Sequence, residues 1–221
     1  MLTILIVDVK AVTNNGLHFG LKAAPSLAWL RTDSKGLVSN GSKFGFTYGL
    51  ITEFKFSDNY SFATGIDVTY RGGKTRSTEE SVFLNGDLAT TITDNSITLQ
   101  YVEVPITLKL KTNEIGYLTY YLQAGLAPGI NIRARNDFKS STQDKTTGAV
   151  TTFESSKVDI SSNINTLNLS MVIGGGVEYT LSGSTVLLAG LQFNNGFLDV
   201  DDRTEYKVNS NYLALTIGLL F

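Results

Sequence analysis

Tyr101-Val102-Glu103-Val104-Pro105-Ile106-Thr107-Leu108-Lys109-Leu110-Lys111 alternates along its whole length. Val102, Val104, Ile106, Leu108 and Leu110 share one face, and Tyr101, Glu103, Pro105, Thr107, Lys109 and Lys111 share the other. A β-strand sends successive side chains to opposite sides, so this period of two predicts a strand with one apolar and one polar face. Proline removes a ladder hydrogen bond, so a bulge or local break is expected at Pro105.

The same period recurs outward from this segment. Phe44, Phe46, Tyr48, Leu50, Phe54 and Phe56 oppose Gly45, Thr47, Gly49, Glu53 and Lys55. Tyr60, Phe62, Thr64, Ile66, Val68 and Tyr70 oppose Ser61, Ala63, Gly65, Asp67, Thr69 and Arg71. Leu213, Leu215, Ile217, Leu219 and Phe221 oppose Tyr212, Ala214, Thr216 and Gly218. Weaker segments lie near 17–30, 117–133, 165–180 and 184–198, which brings the expectation to eight strands. Short turns at 57–59, 112–116 and 182–183 alternate with long polar connections near 31–41, 72–95, 134–163 and 199–210. Short turns at one end and long loops at the other are the pattern of an outer-membrane barrel.

Alternation alone does not say which face is inside. Three features place the apolar face outwards. Gly20, Gly45, Gly49, Gly65, Gly125, Gly174, Gly176, Gly190 and Gly218 all oppose the large residues, Gly175 being the exception; small residues suit the crowded interior of a narrow barrel. The charges of that face balance: Lys22, Lys55, Arg71 and Lys109 against Glu53, Asp67, Glu103 and Glu178, a set able to pair inside a lumen. Aromatics gather towards strand ends (Trp29, Phe44, Phe54, Phe56, Tyr60, Tyr70, Tyr117, Phe221), as membrane-interface girdles do. The fold class expected is all-β, an eight-stranded antiparallel up-and-down transmembrane β-barrel, with residues 17–221 as its single domain. Residues 1–16 form an N-terminal segment whose apolar start, Met1–Val7, fits a signal remnant, a misassigned start or a short first strand.

Composition bounds the chemistry. The chain has 221 residues, a formal net charge of −2, no cysteine and one histidine, so disulfides and thiolate sites are absent. A Ser-His-Asp set would have to use His18, which reads instead as a lumen histidine bonded to a neighbour. The lumen carboxylates each have a cation on the same face, so pairing is expected rather than acid–base work. Asp199-Val200-Asp201-Asp202 lacks a calcium-loop pattern and reads as a solvated acidic turn. Gly72-Gly73-Lys74 and Gly174-Gly175-Gly176 lack phosphate-loop spacing. No basic-aromatic surface for nucleic acid is visible. The expectation is therefore no catalytic set, no metal, no cofactor and no small-molecule substrate.

Several segments resemble the PorT-like outer-membrane β-barrel family. Tyr101-Val102-Glu103-Val104-Pro105 is similar to its "Y-(hydrophobic)-E-(hydrophobic)-P" strand, and Tyr121-Leu122-Gln123-Ala124-Gly125-Leu126 to the strand that follows. Gly174-Gly175-Gly176-Val177-Glu178-Tyr179 resembles its "G-x-G-(hydrophobic)-E-(aromatic)" strand, and Gln192–Asp199 its "Y-x-x-G-L-x-(D/N)" segment. Phe221 resembles the aromatic terminal residue that such barrels present to the insertion machinery. The resemblance implies an eight-stranded barrel in an outer membrane, without catalytic residues, some members belonging to secretion or assembly machines. The partners expected are membrane lipid and other outer-membrane or periplasmic proteins. A scaffold or accessory subunit is the first functional reading; a narrow solute channel, a soluble ligand-binding barrel with reversed faces and a barrel enzyme are the alternatives.

Overall fold

The structure, a computed structural model, describes residues 16–33, 36–82, 88–202 and 207–221; the N-terminal segment before residue 16 lies outside them. The strands are β1 (Leu17–Thr32), β2 (Leu37–Ser39), β3 (Ser42–Ser57), β4 (Tyr60–Val82), β5 (Leu88–Glu103), β6 (Ile106–Lys111), β7 (Leu118–Asp144), β8 (Val150–Asp159), β9 (Leu167–Ser182), β10 (Thr185–Gly196) and β11 (Val208–Leu220). All pairings are antiparallel. Following the ladders gives a closed ring, β1-β3-β4-β5/β6-β7-β9-β10-β11 and back to β1. Closure occurs at Gly20↔Leu220 through Thr32↔Val208. The barrel has eight staves because β5 and β6 are two halves of one.

The break between those halves falls at Val104–Pro105. It is not a bulge: Glu103 pairs with Asp67 and Ile106 with Thr64, so the register runs through unchanged. Proline simply has no N–H to give, and the Val104 amide turns to the Pro128 carbonyl at 2.9 Å. The true bulge lies on β7, where Gln100 faces Arg133 but Tyr101 faces Asn131. The extra residue, Ile132, flips the parity, so Ala134 is buried in the interior although Ile132 and Arg133 are exposed.

The apolar faces point outwards. Phe19, Leu21, Leu50, Ile66, Ile106, Leu108, Leu122, Leu126, Leu191, Leu215 and Ile217 are each between 42% and 67% exposed, while Glu53, Arg71, Glu103 and Lys109 are each 1% exposed. This overturns the soluble barrel with reversed faces. Ring pairs mark the two rims: Phe56 with Tyr60 and Tyr117 with Tyr179 near the short turns, Trp29 with Phe193 towards the other end.

The long connections near 72–95 and 134–163 are corrected. Residues 72–82 and 88–95 continue β4 and β5, and 134–144 with 150–159 make a hairpin of β7 and β8. Above the membrane neither face needs apolar residues, so the strands are built from Thr and Ser, whose branched or small side chains suit a pleated surface. Cross-strand hydroxyl and amide contacts replace packing: Thr91 with Thr142 at 3.0 Å, Thr93 with Ser140 at 3.2 Å, Asn136 to Asn95 at 2.7 Å. β2, the upper halves of β4, β5 and β7, and β8 thus form a polar outer sheet. Among the described residues β8 pairs only with β7, so its other edge has no ladder partner there.

Candidate functional site

The barrel interior is stacked in layers, and the pleat decides who enters it. On β3 from Gly45 onward, and on β4 to β6, the odd residues point in; on β1, β9, β10 and β11 the even ones do. At the level nearest the short turns, Glu53 and Glu178 share two ammonium groups. Lys109 reaches Glu53 at 2.9 Å and also contacts Glu178; Lys111 reaches Glu178 at 2.7 Å and also contacts Glu53. The Lys109 ammonium stands 4.2 Å over the Tyr121 ring, and Tyr121 packs with Ile51, Leu188 and Leu220 in an apolar layer above. These three aliphatic residues sit inside, where only small or polar ones were expected; as single apolar positions within polar faces they leave no trace in the alternation.

Higher up, Lys22 meets Asp67 at 2.6 Å, and Arg71 meets Glu103 at 3.1 Å. Glu103 also accepts from Thr69 at 3.0 Å and Tyr212 at 3.4 Å. The Arg71 guanidinium lies between Tyr101 and Tyr212, 4.2 and 5.6 Å from their ring centres. The guanidinium is thus faced by one carboxylate and two π faces, while its three nitrogens make no hydrogen bond among the described residues, so its compensation is electrostatic.

Seven of the eight lumen charges read from the sequence lie in these contacts: Lys22, Glu53, Asp67, Arg71, Glu103, Lys109 and Glu178. Lys55 does not. It is exposed at the inner rim, 3.7 Å from Asp58. Lys111 takes the place given to it, and its parity with Glu103 and Lys109 was the available signal; its position at a strand end hid its role. His18 pairs with Glu53 across β1 and β3, but Glu53 is already held by two lysines, and the hydrogen bond expected for the imidazole is absent among the described residues.

Room for Tyr121 is made by glycine. A β-carbon at Gly176 would come 2.8 Å from the Tyr121 hydroxyl, and one at Gly190 would run into it. Gly190→Ala is expected to destabilise the folded barrel by about 1–3 kcal/mol, as overpacking does, and Tyr121→Phe in the same chain should recover part of that. Denaturant titration in lipid vesicles measures both.

The outer mouth is closed by chain. Ile164 and Val200 fold inwards onto Leu99, Tyr101 and Ala134. They are pinned by Asn165 N–H to the Val200 carbonyl (2.9 Å), Val200 N–H to the Val208 carbonyl (2.7 Å) and Asp202 N–H to the Asn163 carbonyl (3.0 Å). The acidic turn contributes shape: Asp199 accepts the Val208 amide at 2.7 Å, and Val200 is buried rather than solvated. A cavity of ≈ 240 Å³ remains above this plug, and one of ≈ 40 Å³ remains in the mid-lumen beside Thr107 and Lys109. Room on that smaller scale suits a few waters.

In the outer sheet, Arg76 grips Asp94 with two hydrogen bonds of 2.6 and 2.9 Å, which holds that carboxyl below its ordinary range. Lys145–Glu80 and Lys139–Glu154 add exposed pairs at 2.8 and 2.6 Å.

A closed antiparallel ring with an apolar exterior, aromatic rims and a self-paired interior defines an integral β-barrel of an outer membrane. Residues 10–202 match the outer membrane protein beta-barrel domain, and the chain belongs to that family. Solved structures similar to the chain include Neisserial surface protein A, at 16% identity over 93% of this chain and 97% of that one, with a TM-score of 0.46. OprG of Pseudomonas aeruginosa follows at 9% identity, 93% and 96% coverage and a TM-score of 0.44. Ail of Yersinia pestis matches at 16% identity, 93% and 99% coverage and a TM-score of 0.36. No curated protein matches the sequence.

Proposed function

We propose that this barrel is a non-catalytic scaffold, an accessory subunit of an envelope or secretion assembly that binds its partner proteins through the outer sheet. The observation that carries this reading is the continuation of β4, β5 and β7 beyond the apolar belt into a hydrogen-bonded sheet whose last strand, β8, has one edge without a ladder partner among the described residues. An exposed edge offers unpaired N–H and C=O groups to another strand, and a surface held by a rigid scaffold is where binding usually resides. The lumen, by contrast, spends its charges on one another. The motif order from Tyr101 to Asp199 supports a PorT-like member of the family. Phe221 is proposed as the aromatic residue read during barrel insertion.

The test is to replace residues 139–156 with a short turn. The shortened barrel should fold, read from its heat-dependent electrophoretic mobility, but lose the envelope proteins that co-purify with the full chain in gentle detergent. Retention of those proteins would move the docking surface to the lipid belt. Turnover of a lipid or peptide by the purified protein would end the scaffold reading.

The cavity above the mouth plug favours a second reading, a narrow channel, only if Ile164 and Val200 withdraw. The backbone bonds that hold them argue against that as a resting state.

A further inference from the structure

Most lysines and arginines among the described residues have a carboxylate within reach. Lys43, Lys74, Arg133 and Arg135 make no direct salt bridge among the described residues, and they stand together, with Asp137 and Asp159 at longer range. Cross-strand pairs share a face, so the registers place them. Arg133 lies opposite Gln100 on β5, and Gln100 lies opposite Tyr70 on β4. The Gln100 amide donates to the Tyr70 hydroxyl at 2.9 Å, and Tyr70 stacks on Tyr48 at 6.5 Å, a ring 46% exposed in the belt. Arg133 therefore faces lipid, directly above Ile130 and Ile132, each about half exposed.

One step higher on β5, Arg135 lies opposite Thr98. The Lys43 ammonium reaches across β4, where Gly72 opposite Thr98 has no side chain, to donate to Thr98 at 2.6 Å and Ser96 at 3.1 Å. Lys74 lies opposite Ser96. The next row up is Arg76, Asp94 and Lys139, whose charges are paired. These four cations thus occupy a band about two residue pairs tall, roughly 7 Å per pair of residues along a strand, between the tyrosines and the salt-bridged outer sheet. Two carboxylates lie within it, Asp159 opposite Arg135 and Asp137 opposite Ser96, so the band holds four positive and two negative groups. Asp137 also accepts the Lys157 amide at 2.7 Å and Asp159 the Ser161 amide at 2.9 Å. Lys157 itself sits in the β8 bulge above.

We propose that this band is a binding site for a phosphorylated lipid headgroup of the outer leaflet. The height fits: aromatic girdles sit at the headgroup level, and the cations begin where the girdle ends. So does the chemistry, since guanidinium groups bind phosphate oxygens in a fork, and lysine adds a point charge beside two hydroxyls. The lipid source, rather than free phosphate, follows from the shape. The site is a wall and not a pocket, so it cannot enclose a small anion, whereas a headgroup is held against it by acyl chains lying on Ile130 and Ile132.

The experiment uses the full chain folded in phosphatidylcholine nanodiscs doped with diphosphoryl lipid A, with lipid retention read by native mass spectrometry after release. The wild type should retain lipid A over phosphatidylcholine. Arg133→Gln with Arg135→Gln should lose at least tenfold of that retention, Arg133→Lys with Arg135→Lys should keep most of it, and Arg76→Gln, one row higher, should leave it unchanged. All three substituted side chains are exposed, and folding is checked by electrophoretic mobility. Equal retention by the double glutamine variant, or no preference over phosphatidylcholine, would overturn the proposal. Displacement of lipid A by millimolar inorganic phosphate would overturn the assignment to lipid.

Discussion

Glu103→Ala is expected to destabilise the folded barrel by about 3–5 kcal/mol, the cost of stranding a buried charge when its partner is removed. The Arg71 side chain has no exposed surface and Glu103 has 2%. The alanine variant leaves the guanidinium with the faces of Tyr101 and Tyr212 and no carboxylate, and it also removes the acceptor of Thr69 and Tyr212. Removing both charges behaves differently: Glu103→Ala with Arg71→Met should recover most of the loss, because a matched apolar pair no longer carries the desolvation penalty. Denaturant unfolding in vesicles, followed by Trp29 fluorescence and by heat-dependent mobility, gives both values. A loss below about 1 kcal/mol for the single variant, on the scale of an exposed pair, would show that water reaches Arg71.

Ile106→Arg is expected to cost roughly 2–4 kcal/mol of folding free energy in a bilayer, the range for a cation on the lipid face near the midplane, falling to about 0–1 kcal/mol near the interfaces. Ile106 is 44% exposed and sits between Val104 and Leu108 on the outward face, whereas Ile115, 64% exposed, lies at the turn. Ile115→Arg should therefore be nearly silent. Thr107→Arg enters the lumen, where Thr107 donates to the Ala63 carbonyl at 3.2 Å. It adds a fifth cation to a set of four positive and four negative groups, so its cost should respond to salt and pH rather than to bilayer thickness. Identical behaviour of Ile106→Arg and Thr107→Arg across lipids of different length would contradict the assignment of faces.

The parts of this fold legible in the sequence are those where one face meets lipid. Alternation of large residues located the staves around Phe44–Phe56, Tyr60–Arg71, Tyr101–Lys111 and Leu213–Phe221, because a hydrocarbon exterior demands it at every second residue. Where that demand ends, so does the signal: Thr75–Val82, Leu88–Asn95 and Phe138–Asp144 are strands held by hydroxyls and ion pairs, and their polar alternation on both faces looks like loop. The β7 bulge at Ile132 was hidden because one inserted residue reverses parity without changing composition. In the lumen, charge on the inward parity identified the ion-pair partners, but parity says nothing about height. Lys55 and Lys111 are both inward in phase and both at strand ends; the turn after Lys55 opens to solvent, and Lys111 reaches back over Glu53 and Glu178. The outer plug was not legible at all, since Ile164 and Val200 are isolated apolar residues inside polar connections.

The barrel is closed by its own side chains, from the Lys109–Glu53–Glu178–Lys111 layer to the plug of Ile164 and Val200. Conductance of the purified, folded protein in a planar lipid bilayer tests it most directly. A closed lumen predicts no unitary current steps at moderate voltage in monovalent salt, under conditions where insertion is verified independently by heat-dependent mobility of the recovered protein. Stable, ohmic steps from the wild-type chain would contradict it, and would establish a continuous aqueous path where the ion pairs now stand.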